Sequence, residues 1–290
     1  MIRFLKAVLR LIVLLCLAGL LLFAYARYVE PHLLITEEVS IYSTHVTPEQ
    51  KELNIVVFAD THFSDNYTIK DFERAVGKIN DMEPDLVFFL GDLIDHYDRY
   101  EGSTEAISEK LSEIRASYGK FAVFGNHDYG GGAERHYKDI MTAGGFQVLV
   151  NQRSDLKDLG VTIVGIDDVI IGYGDPTAAS QCRPESFNIV LAHEPDLVTE
   201  MTDYDIDLML SGHTHGGQVR IPYLSDAYLP PYGQQYERGI YRFENERQTT
   251  LYVNSGLGTT YLPLRFRCPP ELTGFSLTDD PDASSASESE

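Results

Sequence analysis

The feature that most constrains this chain is a set of five short signals in a fixed order. They are Asp60-Thr61-His62, Gly91-Asp92, Gly125-Asn126-His127-Asp128, His193 and Gly212-His213-Thr214-His215. Each offers a hard or borderline metal ligand, and nearly every one directly follows an apolar, β-rich run. Carboxylate, imidazole and amide ligands arriving together from several strand ends describe a two-metal hydrolytic centre. Singly, each has a plainer explanation. An Asp or Asn at a strand end is usually a turn or a helix cap, and a lone His is usually a hydrogen-bonded surface residue. The five together, with His213 and His215 paired inside a Gly-rich loop, leave that explanation poor.

The segments between the signals alternate in type. Asn54 to Ala59, Asp85 to Leu90 and Phe121 to Phe124 read as short buried strands. Ile69, Phe72, Val76 and Ile79 recur at helical spacing, and so do Ile107, Leu111 and Ile114, after Ser103 and Thr104 as candidate caps. A third helix is expected around Arg135 to Ala143, ending at Gly144-Gly145. The second half carries strands at Val161 to Ile166, Phe187 to Ala192, Leu208 to Ser211 and Thr250 to Asn254. Such βα alternation implies a layered α/β fold. Ligands in open α/β sheets sit beyond the carboxyl ends of the strands, where all five signals fall. Gly91, Gly125 and Gly212 each stand immediately before a signal residue, where the backbone must turn sharply or approach closely.

Leu11 to Ala26 is an uncharged, Leu-rich stretch, and Ala7 to Leu9 extend it past Arg10 towards the roughly 20 residues that span a bilayer. Arg3, Lys6 and Arg10 precede it, whereas Arg27 stands among Glu30, Glu37 and Glu38. The positive-inside rule then leaves the N-terminus in the cytoplasm and the remainder outside. The competing reading is a signal peptide cleaved at the A-x-A site Ala24-Tyr25-Ala26. The organisation expected is an anchor over residues 1–28, a linker leading into an edge strand over 29–52, a folded domain over 53–278 and an acidic, disordered tail over 279–290. Lys plus Arg is 23 and Asp plus Glu is 44, a net charge of 23 − 44 = −21, which argues against a nucleic-acid backbone as partner. It does not argue against a phosphate ester, because bound divalent cations reverse the local sign. Cys182 and Cys268 would lie in the exported domain, where pairing is permitted but not dictated.

The blocks D-x-H, G-D, G-N-H-[DE], H and G-H-x-H resemble those of the calcineurin-like metallophosphoesterase superfamily over roughly Asn54 to Leu277. Gly212 to Gln218, Gly256-Leu-Gly and Leu262-Pro-Leu-Arg265 to Pro270-Glu271 resemble its membrane-anchored bacterial phosphodiesterase branch, of YkuE and YaeI type. The resemblance implies a four-layer α/β/β/α sandwich preceded by one transmembrane helix. It implies one metal on Asp60, His62, Asp92 and His215, and a second on Asp92, Asn126, His193 and His213, with Asp92 bridging. A hydroxide held between the two cations would attack phosphorus. His127 takes the place of the family's catalytic histidine, and Asp95 fits the position that orients it. Purple acid phosphatases, which resemble the same superfamily, place a tyrosine ligand after Gly-Asp. Here Ile94 and Asp95 stand there and Tyr97 is out of register, which leaves Mn²⁺, Zn²⁺ or Fe²⁺.

Arg265 and Arg267 are candidate phosphate binders, a planar guanidinium matching phosphate oxygens. Tyr223, Tyr228, Tyr232, Tyr236 and Tyr241 are expected to pack a hairpin, with a substrate groove or a place near the bilayer surface as the alternatives. The function expected is hydrolysis of a phosphodiester or pyrophosphate, and the anchor makes a lipid-linked or envelope substrate attractive. UDP-2,3-diacylglucosamine pyrophosphatases resemble the same superfamily. The alternatives are a phosphomonoesterase, a cyclic-nucleotide phosphodiesterase, or a non-catalytic scaffold, which would usually have lost ligands.

Overall fold

The computed structural model describes residues 1–43, 52–221 and 229–279; Tyr223, Tyr228, the linker segment 44–51 and the tail from 280 lie outside the described residues. It opens with α1 (Ile2–Tyr28), whose apolar side chains are left uncovered by the rest of the chain. This helix is long and apolar enough to cross a membrane.

Among the described residues, twelve strands form two six-stranded sheets. The first holds β1 (Ile35–Tyr42), β2 (Glu52–Phe58), β3 (Leu86–Phe89), β4 (Gly119–Ala122), β5 (Gln147–Val148) and β12 (Glu271–Thr278), in the order β1-β12-β2-β3-β4-β5. The second holds β6 (Gln152–Leu156), β7 (Val161–Gly165), β8 (Phe187–Leu191), β9 (Leu208–Ser211), β10 (Gly239–Arg242) and β11 (Thr250–Val253), in the order β10-β11-β9-β8-β7-β6. The runs β2 to β5 and β7-β8-β9-β11 are parallel, so their C-terminal ends point the same way within each sheet.

Alternation within the strands builds the layers. In β3, Val87 and Phe89 face α2 (Ile69–Asp81), α3 (Thr104–Ser112) and α4 (Tyr137–Ala143), joining Phe72, Ile79, Leu111 and Met141 in one core. Leu86 and Phe88 point the other way and meet Ile163, Ile189 and Leu210 of the second sheet. Strands buried on both faces read as unbroken apolar runs, as these do. The outer face of the second sheet buries Val190, Met209 and Val253 against Leu197, Val198 and Met201. Its covering layer contains the 3₁₀ segments Pro176–Gln181 and Pro195–Glu200.

The helix caps read from sequence are present: Ser103 Oγ accepts the Ala106 N–H, and α4 runs into Gly144 and a left-handed Gly145. Two expectations shift. The third strand ends at Ala122, not Phe124, because Val123 to Gly125 leave the ladder to carry Asn126 inward. β12 was not expected, yet it lies inside the sheet, second from the edge, parallel to β1 and antiparallel to β2. Its inward polar residue Glu271 is buried and accepts from Tyr252, Ser255 and Thr273 hydroxyls, which breaks the apolar pattern a buried strand normally shows.

Candidate metal centre

The sheets bring the five signals to one place. Asp60 and His62 follow β2, Asp92 follows β3, Asn126 and His127 follow β4, His193 follows β8, and His213 and His215 follow β9. The loops are compressed there. Asp60, His62, Asp92, His213 and His215 all have left-handed φ, between 43° and 72°, and they are five of the twelve non-Gly residues that do among the described residues. Such backbone costs on the order of 1 kcal/mol or more per residue and concentrates where function holds it. Gly125 shows why glycine stands beside a signal residue: a Cβ there would run into Asp92 Oδ1 and lie 2.8 Å from His193 Cε1.

Asp60, His62, Asp92 and His193 are fully or almost fully buried. Asp92 Oδ2 lies 3.3 Å from His62 Nε2 and 3.3 Å from His193 Nε2, midway between the two halves of the site. Asp60 Oδ1 is 3.5 Å from His215 Nε2 and 3.9 Å from His62 Nε2. Asp60, His62 and His215 form one group of donor atoms able to hold a cation, and Asp60, Asp92 and His193 form another. Asp60 thus reaches both groups, at 4.0 Å from His193 Nε2.

His62, His193 and His213 each have one nitrogen fixed by a main-chain or carboxylate oxygen, and this sets the tautomer of the other. His193 Nδ1 donates to Leu90 O at 2.6 Å, His213 Nε2 to Pro231 O at 2.8 Å, and His62 Nδ1 to Asp95 Oδ1 at 3.2 Å. With the rings neutral, the remaining nitrogens, His193 Nε2, His213 Nδ1 and His62 Nε2, are the ones that carry lone pairs. His193 Nε2 and Asn126 Oδ1 are buried without a hydrogen-bond partner, an arrangement that costs free energy unless a cation completes it. His62 Nε2 and His215 Nε2 lie 3.0 Å apart. An oxygen, imidazole and amide donor set of this kind suits divalent Mn, Zn or Fe.

The electrostatics agree. Burial raises the Asp60 pKa, with Asp92 adding to it. Burial acts the same way on Asp92, but the imidazoles of His193, His127 and His62 around it overturn this, and Asp92 stays well below the carboxylate range. Burial opposes a charge on His62, yet its hydrogen bonds to Asp92 and Asp95 raise it to about 9. Burial and the charge of His193 push His213 down to about 4. Two buried carboxylates at this spacing demand positive charge, which protons on His62 and His193 or divalent cations can supply.

Residues that are not themselves donors hold this frame. Asp128, the last position of the third signal, is buried and accepts the main-chain N–H groups of Asp92, Leu93 and Gly125, clamping two loops together. No role was read for it in the sequence, although its place in the motif was the available signal. His127 donates Nδ1–H to Asp95 O at 2.6 Å, and its main-chain N–H goes to Asp92 Oδ1. Asp95 stands beside both His127 and His62. Its carboxylate is 3.2 Å from His62 Nδ1 and 3.5 Å from His127 Nδ1, so it supports His62 while its carbonyl orients His127.

Arg265 departs from the phosphate-binding expectation. Arg265 is wholly buried, and its guanidinium donates to the carbonyls of Ser255, Gly256, Gly258 and Cys268. It has no face to offer a phosphate; it shapes the loop whose Gly258 N–H binds Asp60 O at 2.7 Å. Arg267 is exposed with left-handed φ, and neither arginine lines the cleft over the site. Tyr236 and Tyr241 pack edge to face beside the second sheet, as the hairpin reading expects. Cys182 and Cys268 are unpaired, and Cys268 Sγ donates to His215 O.

Residues 53–217 match the calcineurin-like phosphoesterase family. The chain is similar to the uncharacterized metallophosphoesterase YkuE of Bacillus subtilis, at 42% identity over 88% of this chain and 89% of that protein. It is similar to phosphodiesterase YaeI of Escherichia coli, at 32% identity over 88% and 92%. It is also similar to the UDP-2,3-diacylglucosamine pyrophosphatase LpxG of Chlamydia trachomatis, at 26% identity over 88% and 92%. The chain therefore belongs to the calcineurin-like phosphoesterases and is a metal-dependent phosphoric ester hydrolase.

Proposed function

We propose that this chain is a dinuclear phosphodiesterase or pyrophosphatase that acts on a membrane- or envelope-associated phosphate ester. The observation that carries the dinuclear reading is Asp92 Oδ2, equidistant at 3.3 Å from His62 Nε2 and His193 Nε2. A shared anion is what two neighbouring cations need to offset their repulsion. Asp60, His62, Asp92 and His215 would hold one divalent ion, and Asp92, Asn126, His193 and His213 the other. Mn²⁺, Zn²⁺ and Fe²⁺ all suit these donors. Once bound, the two cations supply an activated water and neutralise the phosphate oxygens.

The chain's own residues do the rest. His127 lines the cleft with Nδ1 tied back to Asp95 O, so Nε2 is the nitrogen left to meet the leaving oxygen. Burial lowers the His127 pKa, which makes its imidazolium a better proton donor. Among the described residues, no Lys or Arg lines the cleft. That favours a diester, with one charge and an esterified oxygen, over a dianionic monoester. The pyrophosphatase alternative draws on LpxG, a UDP-2,3-diacylglucosamine pyrophosphatase.

The helix α1 supports membrane attachment, and its junction supports an uncleaved anchor. Ala26 is buried, its carbonyl accepts the Arg265 N–H, and Glu30 accepts the Cys268 N–H. Cleavage after Ala26 would leave a charged new terminus in that packed seam.

The test is metal reconstitution of the full chain, with elemental analysis alongside turnover of a bis-aryl phosphodiester, an aryl phosphomonoester and a nucleoside-diphosphate lipid. Two ions per chain and a preference for diester or diphosphate are expected. Saturation at one ion, or a preference for the monoester, would overturn the reading.

A further inference from the structure

A cleft of about 630 Å³ opens directly over the candidate centre, with Asp92, Asn126 and His213 on its floor. Its wall is of another character. Val219, Ile221, Pro230, Leu262 and Leu264 line it, and among the described residues no acidic or basic side chain does apart from Asp92 and the histidines. Tyr261 stands at its rim, 94% exposed; Leu262 is 59% and Ile221 43% exposed. Large apolar side chains left open together beside a reactive site mark a surface meant to be covered.

The wall is built, not draped. Val219 pairs with Phe266 in a short parallel bridge, and Arg220 N–H and Phe266 N–H donate to Phe266 O and Gln218 O. The Gln218 side chain donates to Thr260 O and Leu262 O and accepts from Thr260 N–H. Segments 217–221 and 260–266 are therefore one stitched unit that stands ready for a ligand. This unit is fixed to the foot of α1: Arg265 N–H bonds Ala26 O at 2.9 Å, one residue beyond wall residue Leu264. Ala26 is where the Leu-rich stretch ends. The apolar wall thus begins where the helix leaves hydrocarbon, and it ends at the metal-ligand loops.

We infer that this cleft takes a hydrocarbon chain. The substrate is then a phosphate ester of a membrane amphiphile, its phosphate at Asp92, Asn126 and His213 and its chain along Val219, Ile221, Leu262 and Leu264. This rests on the phosphoesterase site proposed above and adds the substrate class and the residues that select it. Chain length is read by area removed from water: each buried CH₂ tightens binding by up to about fourfold, and about twofold against a half-open wall.

The experiment measures binding of n-alkylphosphonates, from ethyl to octyl, to the Mn²⁺-loaded full chain in nanodiscs, with empty nanodiscs as the blank. Affinity should climb by roughly 10²-fold across the series, from about twofold per CH₂. In the double variant Ile221→Ser/Leu262→Ser the climb should fall to about tenfold or less. Both positions are exposed, so folding is not at stake, and the slope is read within each protein. A flat wild-type series overturns the inference, and so does a slope that the double variant leaves intact. Turnover of a bis-aryl phosphodiester is scored separately and bears only on the hydrolase reading, because the slope comes from binding alone.

Discussion

Replacing Arg265 with Met separates a structural arginine from a substrate-binding one. The guanidinium reaches four main-chain carbonyls at 3.1 Å or less, on Ser255, Gly256, Gly258 and Cys268. Left buried and unpaired, such groups cost about 1–3 kcal/mol each. Against this, the variant no longer has to bury a cation, which costs several kcal/mol in the wild type. The net loss expected is about 3–5 kcal/mol, the usual result of removing one partner from a buried charged network. At roughly 2–4 °C per kcal/mol for a domain of this size, Tm should fall by about 10 °C. Metal affinity should fall with it, because Leu257 N–H and Gly258 N–H hold Ala59 O and Asp60 O in place. Arg265→Lys keeps the charge but cannot reach carbonyls on several sides, so it should lie between the two. Thermal unfolding of the full chain in nanodiscs, with and without Mn²⁺, and KM for a bis-aryl phosphodiester are the measurements. A Tm within 2 °C of wild type, with KM raised tenfold, would show that Arg265 meets substrate and that the burial argument is wrong.

Asp92→Ala should lose activity and both metals together, whereas His127→Ala should lose roughly 10²–10⁴-fold in kcat and keep both, as metal analysis beside kcat will show; loss of a metal from His127→Ala would make His127 a ligand. Asp95→Asn should weaken metal binding by about 10–100-fold, since its carboxylate fixes the His62 tautomer, and metal titration that matches wild type would refute that link. Topology reporters fused after Thr44 should be active only outside the cytoplasm, following the charge asymmetry around α1; activity only inside reverses the orientation.

The parts of the site legible in sequence are those where one residue type does one job. Asp60, His62, Asp92, Asn126, His193, His213 and His215 were readable because each follows a strand that is buried on both faces and hence written as an apolar run. Contacts whose partner is the main chain left no such trace. Nothing in Arg265-Phe-Arg267 tells which arginine turns inward, because the carbonyls that receive Arg265 exist only once the loop has closed. Asp95 was read by its spacing from Asp92, which fixes its neighbourhood but cannot say that its carboxylate meets His62 while its carbonyl meets His127. β12 was hidden for a related reason: Glu271 and Thr273 point inward into a polar network with Tyr252, Asn254 and Ser255, so a strand inside the sheet carries the pattern of an edge.

These hidden contacts answer a problem that the ligands create. Five candidate ligands sit in left-handed backbone, and at about 1 kcal/mol or more each their strain is comparable with the whole net stability of an ordinary domain. The buried carboxylates of Asp60 and Asp92 add their own desolvation cost. A loop carrying such strain relaxes unless something other than the ligand holds it. Asp128 does so from one side, through three N–H groups on two loops. Arg265 does so from the other, through the carbonyls of the loop against Asp60. The Arg265 main chain is in turn bonded to the last apolar turn of α1. The frame that keeps the donors converged is therefore continuous with the foot of the membrane-type helix, and the apolar cleft wall grows from the same seam.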